Sequence, residues 1–290
     1  MLLDRALVRL LPAVPKPVVQ LFSSRYIAGS TLTDAVGVVR RLNAEGMLAT
    51  IDVLGEEITH AGEARAIARA YLDVFDAIER EQLDANVSVK LTSLGLKLSY
   101  DLCKENILEV LAQGRFVRID MEDSTTTDAT LRLYRELREA GRDNVGIVLQ
   151  AYLRRTLDDV GALADLKPNV RLCKGIYVEP PSLSYSGADS VRTSFVQCLD
   201  TLLEAGAYVA AATHDEKLIG EALRRDVPEL QMLLGVREER ARELVADGRR
   251  VRIYVPFGEQ WYAYSLRRLQ ENPAMATTIA RAAVGRALRL

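Results

Sequence analysis

The sequence predicts an α/β protein built as a closed (βα)8 barrel of the TIM type, and three observations predict it. Short apolar, β-branched runs alternate with longer stretches of helical periodicity, the pattern that builds a parallel sheet flanked by helices. Eight such runs occur, their starts spaced mostly by one βα unit, and eight parallel strands close a barrel. The 290 residues contain no Gly/Ser linker or low-complexity tract to set off a second domain, and one barrel takes ~250 residues. On this pattern the chain divides into a helical arm over 1–46 and the barrel over 47–290.

The opening M-L-L-D-R-A-L-V-R-L-L-P is broken by Asp4, Arg5 and Arg9 and lacks a small-residue cleavage site, so it reads as an amphipathic helix rather than a signal peptide. The predicted strands are Leu48 to Leu54, Val87 to Thr92, Phe116 to Met121, Val145 to Ala151, Val170 to Lys174, Tyr208 to Ala212, Leu230 to Gly235 and Val251 to Pro256. After the first comes E-A-R-A-I-A-R-A-Y-L-D-V-F-D-A-I-E-R-E, with apolar residues at helical spacing and good helix formers between them. After the third, T-T-T-D-A-T-L-R-L-Y-R-E-L-R-E-A-G opens on capping residue types and ends in glycine. The Pro/Ser/Gly-rich segment V-E-P-P-S-L-S-Y-S-G-A-D-S forms a loop before a helix starting near Ser190.

Composition excludes several classes of function. A formal net charge of −2 gives no global positive field for nucleic acid. No stretch approaches the ~20 consecutive apolar residues that span a bilayer. Cys103, Cys173 and Cys198 are scattered, without metal-ligand or disulfide spacing, which fits a cytoplasmic protein. His60 and His214 share no paired spacing with carboxylates, so no metal is expected.

Polar residues then stand where strands end, and in a parallel barrel such side chains need partners or a task. Asp52 and Glu56 lie at the first strand, Lys90 at the second, Asp120 and Glu122 at the third, and Gln150 at the fourth. Arg171 and Lys174 lie at the fifth strand, and Thr213, His214 and Asp215 at the sixth. Singly, each could belong to a buried structural ion-pair network; jointly they suit a polar pocket at the carboxyl end of a barrel. The helix W-Y-A-Y-S-L-R-R-L-Q-E-N-P follows the last strand and brings Tyr264, Arg267 and Arg268 to one face, where two guanidiniums could hold a carboxylate. No G-x-G-x-x-G or Walker motif is present, so a Rossmann or P-loop site is not supported.

The motifs T-I-D-V-L-G-E, V-S-V-K-L-T-S-L-G, R-I-D-M-E-D, R-L-C-K-G-I-Y, A-T-H-D, and R-I-Y-V-P-F-G followed by Y-S-L-R-R-L-Q-E-N-P resemble proline dehydrogenases from about Ala49 to Pro273. The resemblance is to the short bacterial monofunctional form. It implies a distorted barrel with the last helix over the mouth, FAD at the strand ends, and L-proline between flavin and helix. It further implies electron transfer to a quinone and peripheral contact of the basic, leucine-rich N-terminus with the inner membrane face. Residue by residue, Asp120 and Arg171 match the active centre, and Lys90, Tyr254, Tyr264, Arg267 and Arg268 match substrate contacts. Met121, Gln150, Lys174, Gly175, Ile176, Thr213 and His214 match flavin contacts, and Glu56 matches an acid gate that pairs with Arg267. Cys173 and Ile176 depart from the expected residue types, a difference of packing rather than chemistry. From the residues alone, a rival reading is a Schiff-base lyase or aldolase with Lys90 or Lys174 as the amine.

Overall fold

The computed structural model describes residues 25–55, 58–262 and 265. The predicted Glu56, Tyr264, Arg267 and Arg268, and the first 24 residues of the arm, lie outside that part. In chain order the elements are α1 (Leu32–Ala44), β1 (Leu48–Val53), α2 (Ala61–Arg80), β2 (Ala85–Val89), α3 (Tyr100–Leu111), β3 (Val117–Ile119) and α4 (Thr127–Glu139). They continue with β4 (Val145–Gln150), α5 (Thr156–Leu163), β5 (Asn169–Cys173), α6 (Ala188–Glu204), β6 (Tyr208–Ala212), α7 (Glu216–Arg224), β7 (Glu229–Leu233), α8 (Glu238–Ala246) and β8 (Val251–Phe257). The strands pair in parallel in sequence order, and β8 closes on β1 with Leu48 opposite Arg252 and Val53 opposite Phe257. All eight predicted strands form, in a closed (βα)8 barrel.

Local chemistry sets where the helices begin. Thr31 and Asp34 form a reciprocal capping box at α1, and His60 with Glu63 forms another at α2, so orphan N–H groups of the first turn are satisfied by side chains. At α4 the expected cap differs: Thr126 makes no capping bond, because its hydroxyl donates to the Asp123 carbonyl at 3.0 Å. Along α2, Ala64, Ala68, Tyr71, Val74, Phe75 and Ile78 recur at helical spacing and bury on the barrel.

α1 packs into the barrel wall, with Ala35, Val36, Val39 and Leu42 joining the same apolar cluster as the outward faces of the strands. The segment before it is stitched to β8, where Ala28 N–H donates to Pro256 O at 2.9 Å and Gly258 N–H to Gly29 O at 3.1 Å. α1 thus covers the β8–β1 seam. The helical turn that begins at Trp261 instead packs beside Ile27 and Leu54, at the carboxyl end of β1.

Strand alternation divides the barrel into two environments. Ala49, Ile51, Val87, Val89, Val117, Ile119, Val145, Ile147, Val170, Leu172, Val209, Ala211, Leu230, Met232, Val251 and Ile253 face the helices and form the core. The alternate positions face the lumen, and there the barrel is polar: Asp52, Ser88, Lys90, Asp120, Arg171, Glu229, Gln231, Arg252 and Tyr254 bond to one another across it, while Thr50 bonds to Asn86, and Arg118 to Ile147 and Asn169.

Candidate active site

At the lower level of the lumen, Arg252 grips Glu229 with Nε to Oε1 at 2.9 Å and Nη2 to Oε2 at 3.1 Å, while its Nη1 donates to Ala49 O at 2.8 Å. Arg118 reaches across β4 to donate to Ile147 O at 3.2 Å and to Asn169 O at 2.6 Å and Oδ1 at 2.5 Å. Its path explains Gly146 in the middle of β4: a Cβ there would lie 2.4 Å from Arg118 Nη1. Burial alone would push the Glu229 carboxyl up, but the hydrogen bond and charge of Arg252 outweigh it and hold the group below its ordinary value.

One level higher, four of the predicted residues meet. Asp120 Oδ1 accepts from Ser88 Oγ at 2.6 Å and from Arg171 Nη1 at 2.8 Å, while its Oδ2 accepts from Tyr254 OH at 2.9 Å. Lys90 Nζ donates to Asp52 Oδ2 at 2.8 Å and to Tyr254 OH at 3.3 Å, and lies 3.8 Å from Asp120 Oδ2. Arg171 Nε donates to Gln231 Oε1 at 2.5 Å, and its guanidinium carbon sits 5.2 Å from the centre of the Tyr254 ring. Burial pushes the fully enclosed Asp52 carboxyl up, against the pull of Lys90 and with the repulsion of Asp120 added. These side chains form a buried ion-pair network toward the carboxyl ends of β1, β2, β3, β5 and β8.

One atom of this network stands apart. Arg171 Nη2 is buried and has no hydrogen-bond partner among the described residues. A buried donor left unmatched costs on the order of 1–3 kcal/mol, a state that Arg118 Nε shares lower in the lumen.

Around the mouth the remaining predicted residues take varied positions. Gln150 donates to Glu122 O at 2.8 Å, and the Glu122 carboxylate accepts from Thr92 N at 3.1 Å and Thr92 Oγ1 at 2.5 Å. Met121 and Thr213 are buried, whereas Ile176 is exposed. The Lys174 ammonium lies 3.6 Å from Asp215, which also accepts from Arg192 Nε at 2.8 Å. Gly175 has φ +106°, and a Cβ there would sit 1.9 Å from Tyr152 Cδ1, so the turn after β5 admits only glycine. His214 Nε2 accepts from Leu233 N at 3.0 Å, which places the ring proton away from that nitrogen. The loops after β3 and β5 are tied together where Glu179 accepts from Ser124 N and Oγ, both at 2.7 Å.

Sequence reasoning missed Ser88, Gln231, Glu229 and Arg252. The signal was present in V-S-V-K and in E-L-Q-M-L, where polar residues alternate with apolar ones, so that every polar side chain falls on the lumen face.

The family model for proline dehydrogenase matches residues 35–281. The chain belongs to the proline dehydrogenase family. It is 38% identical to proline dehydrogenase 1 of Bacillus subtilis over 272 residues, 90% of this chain and 90% of that protein. Proline dehydrogenase of Deinococcus radiodurans is 36% identical over 89% of this chain and 88% of its own length. Among solved structures, proline utilization A from Bdellovibrio bacteriovorus, inactivated by N-propargylglycine, matches with a TM-score of 0.78 and 27% identity over 87% of this chain. The chain spans 32% of the length of that larger protein, whereas it runs nearly end to end with the proline dehydrogenases. Among the described residues, no helix is long and apolar enough to cross a membrane.

Proposed function

We propose that this chain oxidises L-proline to 1-pyrroline-5-carboxylate with FAD as cofactor, and that the electrons pass on to a quinone. Family membership supports the reaction, and the buried, unmatched Arg171 Nη2 carries the assignment of the place. An acceptor atom of a flavin seated on the strand tips would complete that donor. The residues that would hold such a group stand at or just after the strand ends: Met121 after β3, Gln150 at the end of β4, Lys174 and the Gly175–Ile176 turn after β5, and Thr213 and His214 after β6. When bound, FAD supplies the acceptor for the hydride leaving the ring carbon next to the substrate nitrogen.

The protein's own groups bind and orient. Both oxygens of Asp120 accept, from Ser88 and Arg171 on one side and from Tyr254 on the other, and the role assigned to Asp120 is to anchor the site. Lys90, with Asp52 at 2.8 Å and Asp120 at 3.8 Å, serves as a cation and donor, not as the free amine that a Schiff-base lyase requires. Arg267 and Arg268 are assigned to the substrate carboxylate, Tyr254 and Tyr264 to the cavity wall, and Glu56 to the gate. Because bidentate contact depends on the planar guanidinium fork, Arg268→Lys raises KM for L-proline by roughly tenfold or more, the equivalent of ~1.5 kcal/mol for one charged hydrogen bond. An unchanged KM removes the clamp.

The deciding experiment is anaerobic titration of the purified protein. A flavin absorption band that bleaches on addition of L-proline is expected, with FAD in the heat-released extract. A colourless protein, or a band indifferent to L-proline, overturns the proposal. Peripheral membrane contact through the basic, leucine-rich start of the chain is checked by vesicle flotation of intact and trimmed protein, and equal recovery removes it.

A further inference from the structure

Among the described residues, Arg171 carries the one unmatched donor of the upper lumen, so what fixes that guanidinium decides where the donor points. A guanidinium has five N–H groups in one plane, and two anchored edges fix the plane while leaving the third group free to act. Asp120 and Ser88 hold one edge through Nη1 at 2.8 and 3.1 Å. The other edge is held by Gln231, whose Oε1 accepts from Nε at 2.5 Å.

An amide can face either way, and only one way suits Arg171, because the opposite orientation would turn NH2 toward N–H. That choice is made from below. Gln231 Nε2 donates to Glu229 Oε1 at 2.6 Å, and Glu229 can only accept, since Arg252 and Tyr208 already donate to it at 2.9 to 3.2 Å. A buried chain of hydrogen bonds therefore runs Arg252 to Glu229 to Gln231 to Arg171 to Asp120, every donor facing an acceptor, from the lower level of the lumen into the candidate active site.

We infer that Gln231 is a positioning residue for the oxidation reaction: it aims Arg171 Nη2 into the site, and Glu229 dictates the orientation of the Gln231 amide. The inference rests on the proposed reaction for its kinetic consequence, but its geometry is testable apart from it.

The experiment compares Gln231→Leu, Gln231→Glu and Glu229→Gln with the wild type as flavin-loaded enzyme, measuring kcat, KM, the pH profile and the thermal midpoint. Separately, the Nε–Hε resonance of Arg171, assigned by its disappearance in Arg171→Lys, is followed in 15N-labelled protein. Gln231→Leu removes the acceptor, so kcat falls by roughly tenfold or more while KM changes less, and the Arg171 resonance shifts and exchanges faster with solvent. Gln231→Glu restores an acceptor but sets two carboxylates together, one of which must hold a proton, so activity returns to within roughly threefold at low pH and falls as pH rises, a limb that the wild type lacks. Glu229→Gln frees the amide to turn and gives an intermediate loss.

A Gln231→Leu enzyme within twofold of wild-type kcat, an unmoved Arg171 resonance, or a Gln231→Glu enzyme no better than Gln231→Leu at any pH overturns the inference. Losses that merely follow the thermal midpoint also overturn it. Failure of the wild type to be reduced by L-proline defeats the proposed function instead and leaves the resonance experiment intact.

Discussion

The two levels of the barrel lumen are built from the same residue types and are assigned different work. The lower level, Arg118 with Asn169 and Arg252 with Glu229, spends most of its guanidinium N–H groups on acceptors that the barrel itself provides, several of them backbone carbonyls, and leaves Arg118 Nε, deep in the lumen, without a partner among the described residues. The upper level, Lys90, Asp120, Arg171 and Tyr254 with Asp52 and Ser88, is just as densely bonded but keeps a buried donor in hand at Arg171 Nη2. A rigid donor can act on a ligand only where a ligand can reach it, and the upper one lies toward the carboxyl ends of the strands. Buried charge is therefore not in itself a sign of a site, even with an unmatched atom; an unmatched donor at the carboxyl ends of barrel strands is a better one.

The largest expected effect separates the levels by activity. Asp120→Ala removes the acceptor of Arg171 and Tyr254 together, and two charge-assisted bonds at ~1.5–3 kcal/mol each correspond to a loss on the order of 10²-fold or more in kcat/KM for L-proline. Steady-state kinetics beside a melting curve checks it; a loss below tenfold would mean that the upper level is structural like the lower. Arg118→Met is the mirror experiment. It strands the carbonyls of Ile147 and Asn169 and costs ~2–4 kcal/mol of stability by denaturant unfolding, while kcat per folded molecule changes less than about twofold.

Gly146→Ala presses a methyl against the same guanidinium and costs ~1–3 kcal/mol by overpacking, again with activity kept. The smallest effect is in pH dependence, and its sign differs between the levels. Glu229 sits below its ordinary value, because the Arg252 contacts overcome burial, so its stabilisation is present above the ordinary carboxylate range and is lost as pH falls through the lowered value. Glu122, at the upper rim, is pushed up by burial despite the hydrogen bonds of Thr92, so its protonated form favours the folded state and that contribution is lost as pH rises through the raised value. Thermal midpoints between about pH 3 and pH 7 should show Glu229→Gln flattening the acid limb and Glu122→Gln flattening the opposite one. Matching slopes in the two variants would erase the distinction.

Much of this was legible in the chain. Strands such as V-G-I-V-L-Q and V-R-I-Y-V-P-F-G announce themselves by β-branched content, and Lys90, Asp120 and Arg171 were legible as polar residues in strand runs and Tyr254 through the family motif. Gln231 was not, because L-Q-M-L-L reads as an apolar strand unless the alternation that begins at Glu229 is followed. Nor was the use of α1 as the barrel's seam cover legible: amphipathic periodicity says that a helix has an apolar face, not which strands lie beneath it.

By itself, then, the sequence determined the order and kind of the elements, the family, and which strands carry charge toward the lumen, since local propensity and period-two alternation are properties of contiguous residues. Tertiary structure alone decided which charges meet. Arg171 finds Asp120 from 51 positions away, and Tyr254 finds it from 134, because closing the sheet brings β3, β5 and β8 around one axis. Only in that enclosure does Arg171 Nη2 become a buried donor, beside Asp120 and Tyr254, with no partner among the described residues.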